Sequence, residues 1–177
     1  MIATGKYLTF IERDGWEFVT RSGASGVVVL VAFTDAGKLL LVEQPRPAVG
    51  RRVVELPAGL VGDEAGRRGE GLADAARREL AEETGYDARE LSQLAEGPVA
   101  VGVSDEVVTF FHAQGLVRVG PGGGDATEDI TVFEVAPSEL AAFLRDKARA
   151  GLAVDPKIYA GLYLVEAAGR AGSAGGS

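Results

Sequence analysis

Residues 70–86 read Glu-Gly-Leu-Ala-Asp-Ala-Ala-Arg-Arg-Glu-Leu-Ala-Glu-Glu-Thr-Gly-Tyr. From Leu72 to Thr84 the stretch holds Ala, Leu, Arg and Glu without proline, which favours a helix, and Gly85 supplies its stop. At about 100° per residue, Leu72, Ala75, Ala76 and Leu80 fall on one stripe that must be buried. Glu79, Glu82 and Glu83 lie on that apolar side, whereas Asp74, Arg77, Arg78 and Ala81 are expected to face solvent. Carboxylates on an apolar face are costly, and like charges three or four residues apart repel. Acids near a helix C-terminus also oppose the dipole. A hard divalent cation held by oxygen would remove these costs. A solvated acidic patch is the competing reading, and the helix alone leaves both open.

The segments before this helix are β-rich. Residues 7–12 and 16–20 flank Arg13-Asp14-Gly15, and Asp-Gly between such runs marks a hairpin. Residues 27–33 form a Val-rich run of the kind found in strands covered on both faces. A turn at Asp35-Ala36-Gly37 leads into a strand over 38–43, which Pro45 and Pro47 are expected to interrupt before an extended segment over 51–55. After the helix, strands are expected over 99–103, 107–116 and 130–135. The intervening Gly120-Pro121-Gly122-Gly123-Gly124-Asp125 is a loop that cannot pack a core. Ser138 is expected to cap a helix to about residue 149, and Asp155-Pro156 to open a last helix to about residue 168. This order predicts one α/β (α+β) domain over 1–168, a mixed sheet sandwiched by helices, with a flexible tail over 169–177.

Charge narrows the function classes. The 177 residues carry 18 Lys and Arg against 26 Asp and Glu, a net charge of −8. That balance argues against nucleic acid or an anionic membrane as partner. With no cysteine, the chain lacks disulfides, thiolate metal sites and cysteine nucleophiles. No apolar run is long enough to span a bilayer, and residues 1–6 lack the order of a secretory signal, so a cytoplasmic protein is expected. His112, the single histidine, reads as a structural strand residue and leaves no Ser-His-Asp arrangement.

The pattern of Glu70, seven residues, then Arg78-Glu79-Leu80-Ala81-Glu82-Glu83-Thr84-Gly85-Tyr86 resembles the signature box of the Nudix hydrolase family. Glu43-Gln44-Pro45-Arg46-Pro47, Glu55-Leu56-Pro57-Ala58-Gly59 and Ser104-Asp105-Glu106 resemble its ADP-ribose pyrophosphatase branch, and the resemblance covers residues 7–165. It implies a Nudix-type α/β/α sandwich with a mixed central sheet and an N-terminal β-hairpin. It also implies a homodimer formed through the strands of residues 1–22. The implied activity is metal-dependent hydrolysis of the diphosphate linkage of a nucleoside diphosphate derivative, foremost ADP-ribose to AMP and ribose 5-phosphate. Nucleotide sugars, FAD and dinucleoside polyphosphates are the alternative substrates, and a non-catalytic nucleotide-binding regulator is the alternative class. The implied cofactor is Mg²⁺, with Mn²⁺ as a substitute. The branch often carries a proline before Ser-Asp-Glu that Val101-Gly102-Val103 lacks here.

By the same resemblance, Glu79 and Glu83 are the principal metal ligands, Glu82 joins them directly or through water as a catalytic residue, and the carbonyl of Ala58 completes the site. Gly59, Glu70, Arg78 and Gly85 are structural, with Glu70 pairing to Arg78. Glu128 stands where the branch places a loop carboxylate that acts as base or further ligand. The second acid expected two residues earlier is Ala126, and Asp125 and Asp129 stay open between a role and a charged loop. Arg46 and Arg52 are the expected substrate contacts, with surface exposure the alternative for one of Arg51 and Arg52; Glu106 is expected to help hold substrate or metal, with a strand-edge charge the alternative. Trp16 either stacks on a base or packs the hairpin. The box's leading glycine would fall at Glu64; the glycine matching by context is Gly59, eleven residues before Glu70 instead of six. Residues 62–69 therefore carry a five-residue insertion, with Arg67 and Arg68 expected to reach outward.

Overall fold

The computed structural model describes residues 1–63, 66–124 and 128–174. In chain order the elements are β1 (Ala3–Thr4), β2 (Leu8–Arg13), β3 (Trp16–Arg21), β4 (Val27–Ala32), β5 (Leu39–Arg46), β6 (Arg51–Glu55) and β7 (Ala58–Leu60). Then follow α1 (Leu72–Thr84), β8 (Tyr86–Pro98), β9 (Val107–Arg118), β10 (Thr131–Val135), α2 (Pro137–Arg149), β11 (Ala153–Val154) and α3 (Lys157–Ala174).

The Val-rich β4 is the centre of the molecule, and both its faces are covered. Val28, Leu30 and Ala32 pack with Ala75, Ala76 and Leu80 of α1. Val29 and Val31 point the other way, into a core with Leu39, Leu41, Val54, Leu140 of α2 and Ile158 of α3. Alternation along a strand makes one run serve two layers, which is why it reads as continuously apolar. Among the described residues the strands form two four-stranded sheets and one three-stranded sheet. The first has order β7-β4-β9-β8 with β4 and β9 parallel, and the second β10-β5-β6-β11 with β6 and β11 parallel. The mixed sheet of the α/β/α sandwich is therefore divided in two.

The β1-β2-β3 sheet is separate from the other two. Its hairpin closes at Asp14 and Gly15, both at positive φ, with Arg13 opposite Trp16. It joins the rest through the Val19 N–H, which donates to the Val103 carbonyl at 2.8 Å, and through Arg21 and Glu106 at 2.7 Å. No helix among the described residues is long and apolar enough to cross a membrane.

Several element boundaries differ from expectation. β5 runs through Pro45 to Arg46; Pro45 pairs with Arg52 in an exposed position, where the missing N–H costs little. Residues 99–103 form turns, not a strand, and the long strand is β8, just before them. β8 is polar and rich in Ala, Glu and Leu, so propensity hid it. It is held by pairing with β9 along nearly its whole length and by Arg77, which reaches Asp87 at 2.5 Å and the Ala88 carbonyl. α2 begins at Pro137 with Ala136 as its cap residue, so Ser138 lies inside the first turn. The Asp155 carboxylate accepts the Lys157 N–H at 2.8 Å at the start of α3, and that helix continues to Ala174.

Candidate active site

Helix α1 presents two carboxylates to the edge of β7. Glu83 is 3% exposed, and its Oε2 accepts the Ala58 N–H at 3.0 Å. Gly59 lies directly against Glu79: a Cβ there would stand 1.8 Å from Glu79 Cδ, so only glycine leaves room for that side chain. Arg78 does not face solvent as the wheel predicts. Its Nε and Nη2 donate to Glu70 at 3.1 Å each, its Nη1 to Glu79 at 2.7 Å and Glu82 at 3.0 Å, and Nη2 also to the Leu60 carbonyl at 3.0 Å. The long stem carries the guanidinium back over the helix, a reach that Cα directions do not show. Glu82, placed on the apolar side by the wheel, keeps its side chain 43% exposed at the outer edge.

These environments shift the acids apart. Burial raises the Glu79 carboxyl to about 7 despite the opposing pull of Arg78. Burial raises Glu83 to about 8, against the Ala58 N–H, with the charges of Glu79, Glu128 and Glu55 adding to the rise. Glu70, hydrogen-bonded to Arg78, is held below the ordinary carboxylate range. Two buried acids that resist ionisation form a donor set that fits a hard, oxygen-binding cation. Among the described residues no three such side chains already stand at ligand spacing, and Arg78 is hydrogen-bonded to both Glu79 and Glu82.

Beside the β7 edge lies a cleft of about 420 Å³ whose lining includes Arg21, Arg46, Glu55, Ala58, Glu106 and Lys157. Arg46 is fixed by a two-pronged pair with the buried Glu55, at 2.7 and 2.9 Å. Arg21 is paired with Glu106 and Lys157 with Asp155. Forked and ammonium donors drawn from β3, β5 and α3 thus converge on one space suited to diphosphate oxygens.

Arg52 is absent from that lining. It spans Glu43 at 2.7 Å and Asp129 at 2.5 Å, and Lys147 holds the other oxygen of Glu43 at 2.6 Å. Trp16 lines a separate hollow of about 220 Å³ with Phe18, Val101 and Asp105. Arg51 is exposed, and His112 sits edge-on to Phe33, its pKa lowered by burial. In the inserted loop, Arg67 and Arg68 are both exposed, and Arg67 leans back along the surface to within 3.6 Å of Glu70 and 3.9 Å of Glu82; Glu64 and Ala65 lie outside the described residues. Glu128 folds over Gly124, and its charge is felt by Glu83. Asp125 and Ala126 also lie outside the described residues.

Sequence reading missed Arg21 and Lys157. For Lys157 a signal existed, since a cation at a helix N-terminus opposes the dipole and such violations mark sites. For Arg21 there was none, because its partner Glu106 is 85 positions away.

Residues 24–153 match the family model described as NUDIX domain, and the chain belongs to that family. It is 31% identical to the methanol dehydrogenase activator of Bacillus methanolicus, over 69% of this chain and 64% of that one. It is 40% identical to the ADP-ribose pyrophosphatase of Bacillus subtilis, over 51% of this chain and 46% of that one. The ADP-sugar pyrophosphatase of Mus musculus is 34% identical over 90% of this chain and 82% of its own. The chain spans about half to two thirds of the length of several curated relatives it matches. A crystal structure of an ADP compounds hydrolase shares the fold, with a TM-score of 0.67 and 21% identity over 93% of this chain and 88% of that one.

Proposed function

We propose that the chain hydrolyses the diphosphate linkage of a nucleoside diphosphate derivative, with ADP-ribose, giving AMP and ribose 5-phosphate, as first substrate. One observation carries this reading. Ala58 and Gly59 of β7 line the cleft that Arg21, Arg46 and Lys157 also line, and the Ala58 N–H binds Glu83 while Gly59 lies against Glu79, so the proposed phosphate-binding and metal-binding groups share one edge. Glu79, Glu82, Glu83 and the carbonyl of Ala58 would hold Mg²⁺, or Mn²⁺ in its place. That ion supplies neutralisation of phosphate oxygens and a lowered pKa for the attacking water. Arg46, braced by Glu55, orients the diphosphate, and Arg21 and Lys157 bind its flanking oxygens. Glu128 takes the proton of the water. The water oxygen joins one phosphorus, and the bridging oxygen leaves with the other. Glu106 contributes by holding Arg21.

The same reading includes a homodimer through the N-terminal sheet, where Tyr7, Leu8 and Trp16, with Val101 and Val103 on the adjoining turn, expose apolar surface. Light scattering is expected to give twice the chain mass; 18.4 kDa at micromolar concentration refutes the dimer. A second substrate, an ADP-sugar, is favoured by the mouse relative, which the chain matches over most of its length.

The test is a panel of ADP-ribose, ADP-glucose, FAD and diadenosine polyphosphates with Mg²⁺ or Mn²⁺, products resolved by chromatography. Turnover of ADP-ribose or ADP-glucose is expected, lost by orders of magnitude in Glu83→Gln with the fold intact. No turnover of any compound with either metal overturns the hydrolase reading, and binding without turnover points to a regulator.

A further inference from the structure

The segment joining β9 to β10 is fastened on both sides of Glu128. We propose that these two fastenings place Glu128 beside the carboxylates of α1, with Gly122 and Asp129 as positioning residues. This inference rests on the role given to Glu128 in the proposed hydrolysis.

The upstream fastening is built on the end of α1. A helix leaves its last carbonyls without intrahelical donors, and here the loop supplies them. The Gly123 N–H donates to the Glu83 carbonyl at 2.8 Å and the Gly124 N–H to the Glu82 carbonyl at 3.0 Å. Val119 and Gly120 donate to the Gly85 carbonyl at 2.8 and 3.1 Å. The acceptors include the main chains of two residues whose side chains form the candidate metal site. The loop is thus set in register with those carboxylates, not merely tethered near them.

Such an approach requires bare α-carbons on both sides. A Cβ on Gly122 would stand 2.4 Å from the Thr84 carbonyl carbon, and one on Gly85 2.3 Å from the Gly120 oxygen. Both residues also have positive φ, +69° and +76°. At Gly124 a Cβ would stand 2.3 Å from Glu128 Oε2, so the Glu128 carboxylate rests over a residue hydrogen-bonded to Glu82.

The downstream fastening begins at the very next residue. Arg52 donates to the Asp129 carboxylate at 2.5 Å and to its carbonyl at 3.2 Å. Arg52 is itself fixed by the Glu43 carboxylate at 2.7 Å and the Glu43 carbonyl at 3.1 Å, and Glu43 by Lys147 at 2.6 Å. Glu128 therefore packs over one anchored residue and adjoins another. A glycine-rich connection would otherwise spread its carboxylate over many conformations, and holding it in place before substrate arrives removes that entropy from the barrier.

The experiment is a double-mutant cycle on the full chain with Mg²⁺ and ADP-ribose, or whichever panel compound turns over fastest. Gly122→Ala and Asp129→Ala are each made alone and in a Glu128→Gln background, and kcat and KM are read separately. Each single change is expected to lower kcat by about tenfold or more with KM within about twofold. In the Glu128→Gln background neither should lower kcat further, because the group they position is gone. Asp129→Asn, which keeps an acceptor for Arg52, is expected to recover most of the loss. Full, additive losses in the Glu128→Gln background overturn the proposal, as does unchanged kcat in both single variants. If Gly122→Ala does not fold, the Asp129 arm completes the cycle alone. A parent that turns over with Glu128→Gln equally active removes the role of Glu128 and this inference with it; a parent inactive on the whole panel refutes the hydrolase reading itself.

Discussion

Glu83→Gln should flatten the pH dependence of stability of the metal-free protein. Glu83 is nearly fully buried and its carboxyl is raised from 4.5 to about 8. A carboxyl whose folded pKa exceeds its unfolded value favours folding while it is protonated. That contribution is complete below about pH 4.5 and is lost as pH rises through about 8. At about 1.36 kcal/mol per pKa unit, Glu83 accounts for about 5 kcal/mol over this range, with a slope of at most ~1.4 kcal/mol per pH unit. Domains are stable by only about 5–15 kcal/mol, so the effect is large enough to measure. Glutamine keeps an acceptor for the Ala58 N–H and has no proton to lose. The assay is urea unfolding of chelator-treated protein between pH 5 and pH 8.5. Wild type should lose stability across the window and the variant should lose less, the gap growing with pH. Saturating Mg²⁺ should stabilise wild type more at pH 8 than at pH 6, because the ion competes with protons for the same oxygens. Parallel curves for the two proteins, with no widening gap, would refute the account of Glu83.

Three further outcomes are expected. Gly59→Ala places a methyl 1.8 Å from Glu79 Cδ and must displace that side chain; steady-state kinetics should show kcat falling with circular dichroism unchanged, and full activity refutes the contact. Arg78→Ala takes from Glu79 its cation and from Glu70 its nearest one, leaving Arg67 at 3.6 Å, and should cost about 3–5 kcal/mol by denaturant titration, Arg78→Lys recovering only part; a change below about 1 kcal/mol counts against the brace. Removing five residues from the loop over 62–69 moves Arg67 away from Glu70 and Glu82 and should change the ranking of substrates by kcat/KM, whereas a uniform change or none dismisses a selectivity role.

Helix α1 was readable because all its determinants are local. Propensity, periodicity and the Gly85 stop lie within the helix and the residue that follows it, and the observed bounds match them. The hairpin at Asp14-Gly15 and the doubly covered β4 were readable for the same reason, as turn chemistry and unbroken apolar character need no distant partner. The acids of the candidate site were also visible, because one helix carries Glu79, Glu82 and Glu83 at fixed spacing.

Pairings between distant segments were not visible in this way. β8 exists because β9 lies alongside it, and its own residues argue for nothing so extended. Arg52 reads as a substrate contact until Asp129, 77 positions later, is found against it. Arg78 reads as a solvent residue until Glu70 and the Leu60 carbonyl are folded beneath its guanidinium. Helix propensity and turn geometry act over a few residues, whereas an ion pair or a ladder depends on which surfaces the packed core brings together. The sequence thus specifies the helix and its acids, while packing assembles the cleft's cations and seats Gly123 and Gly124 on the helix end.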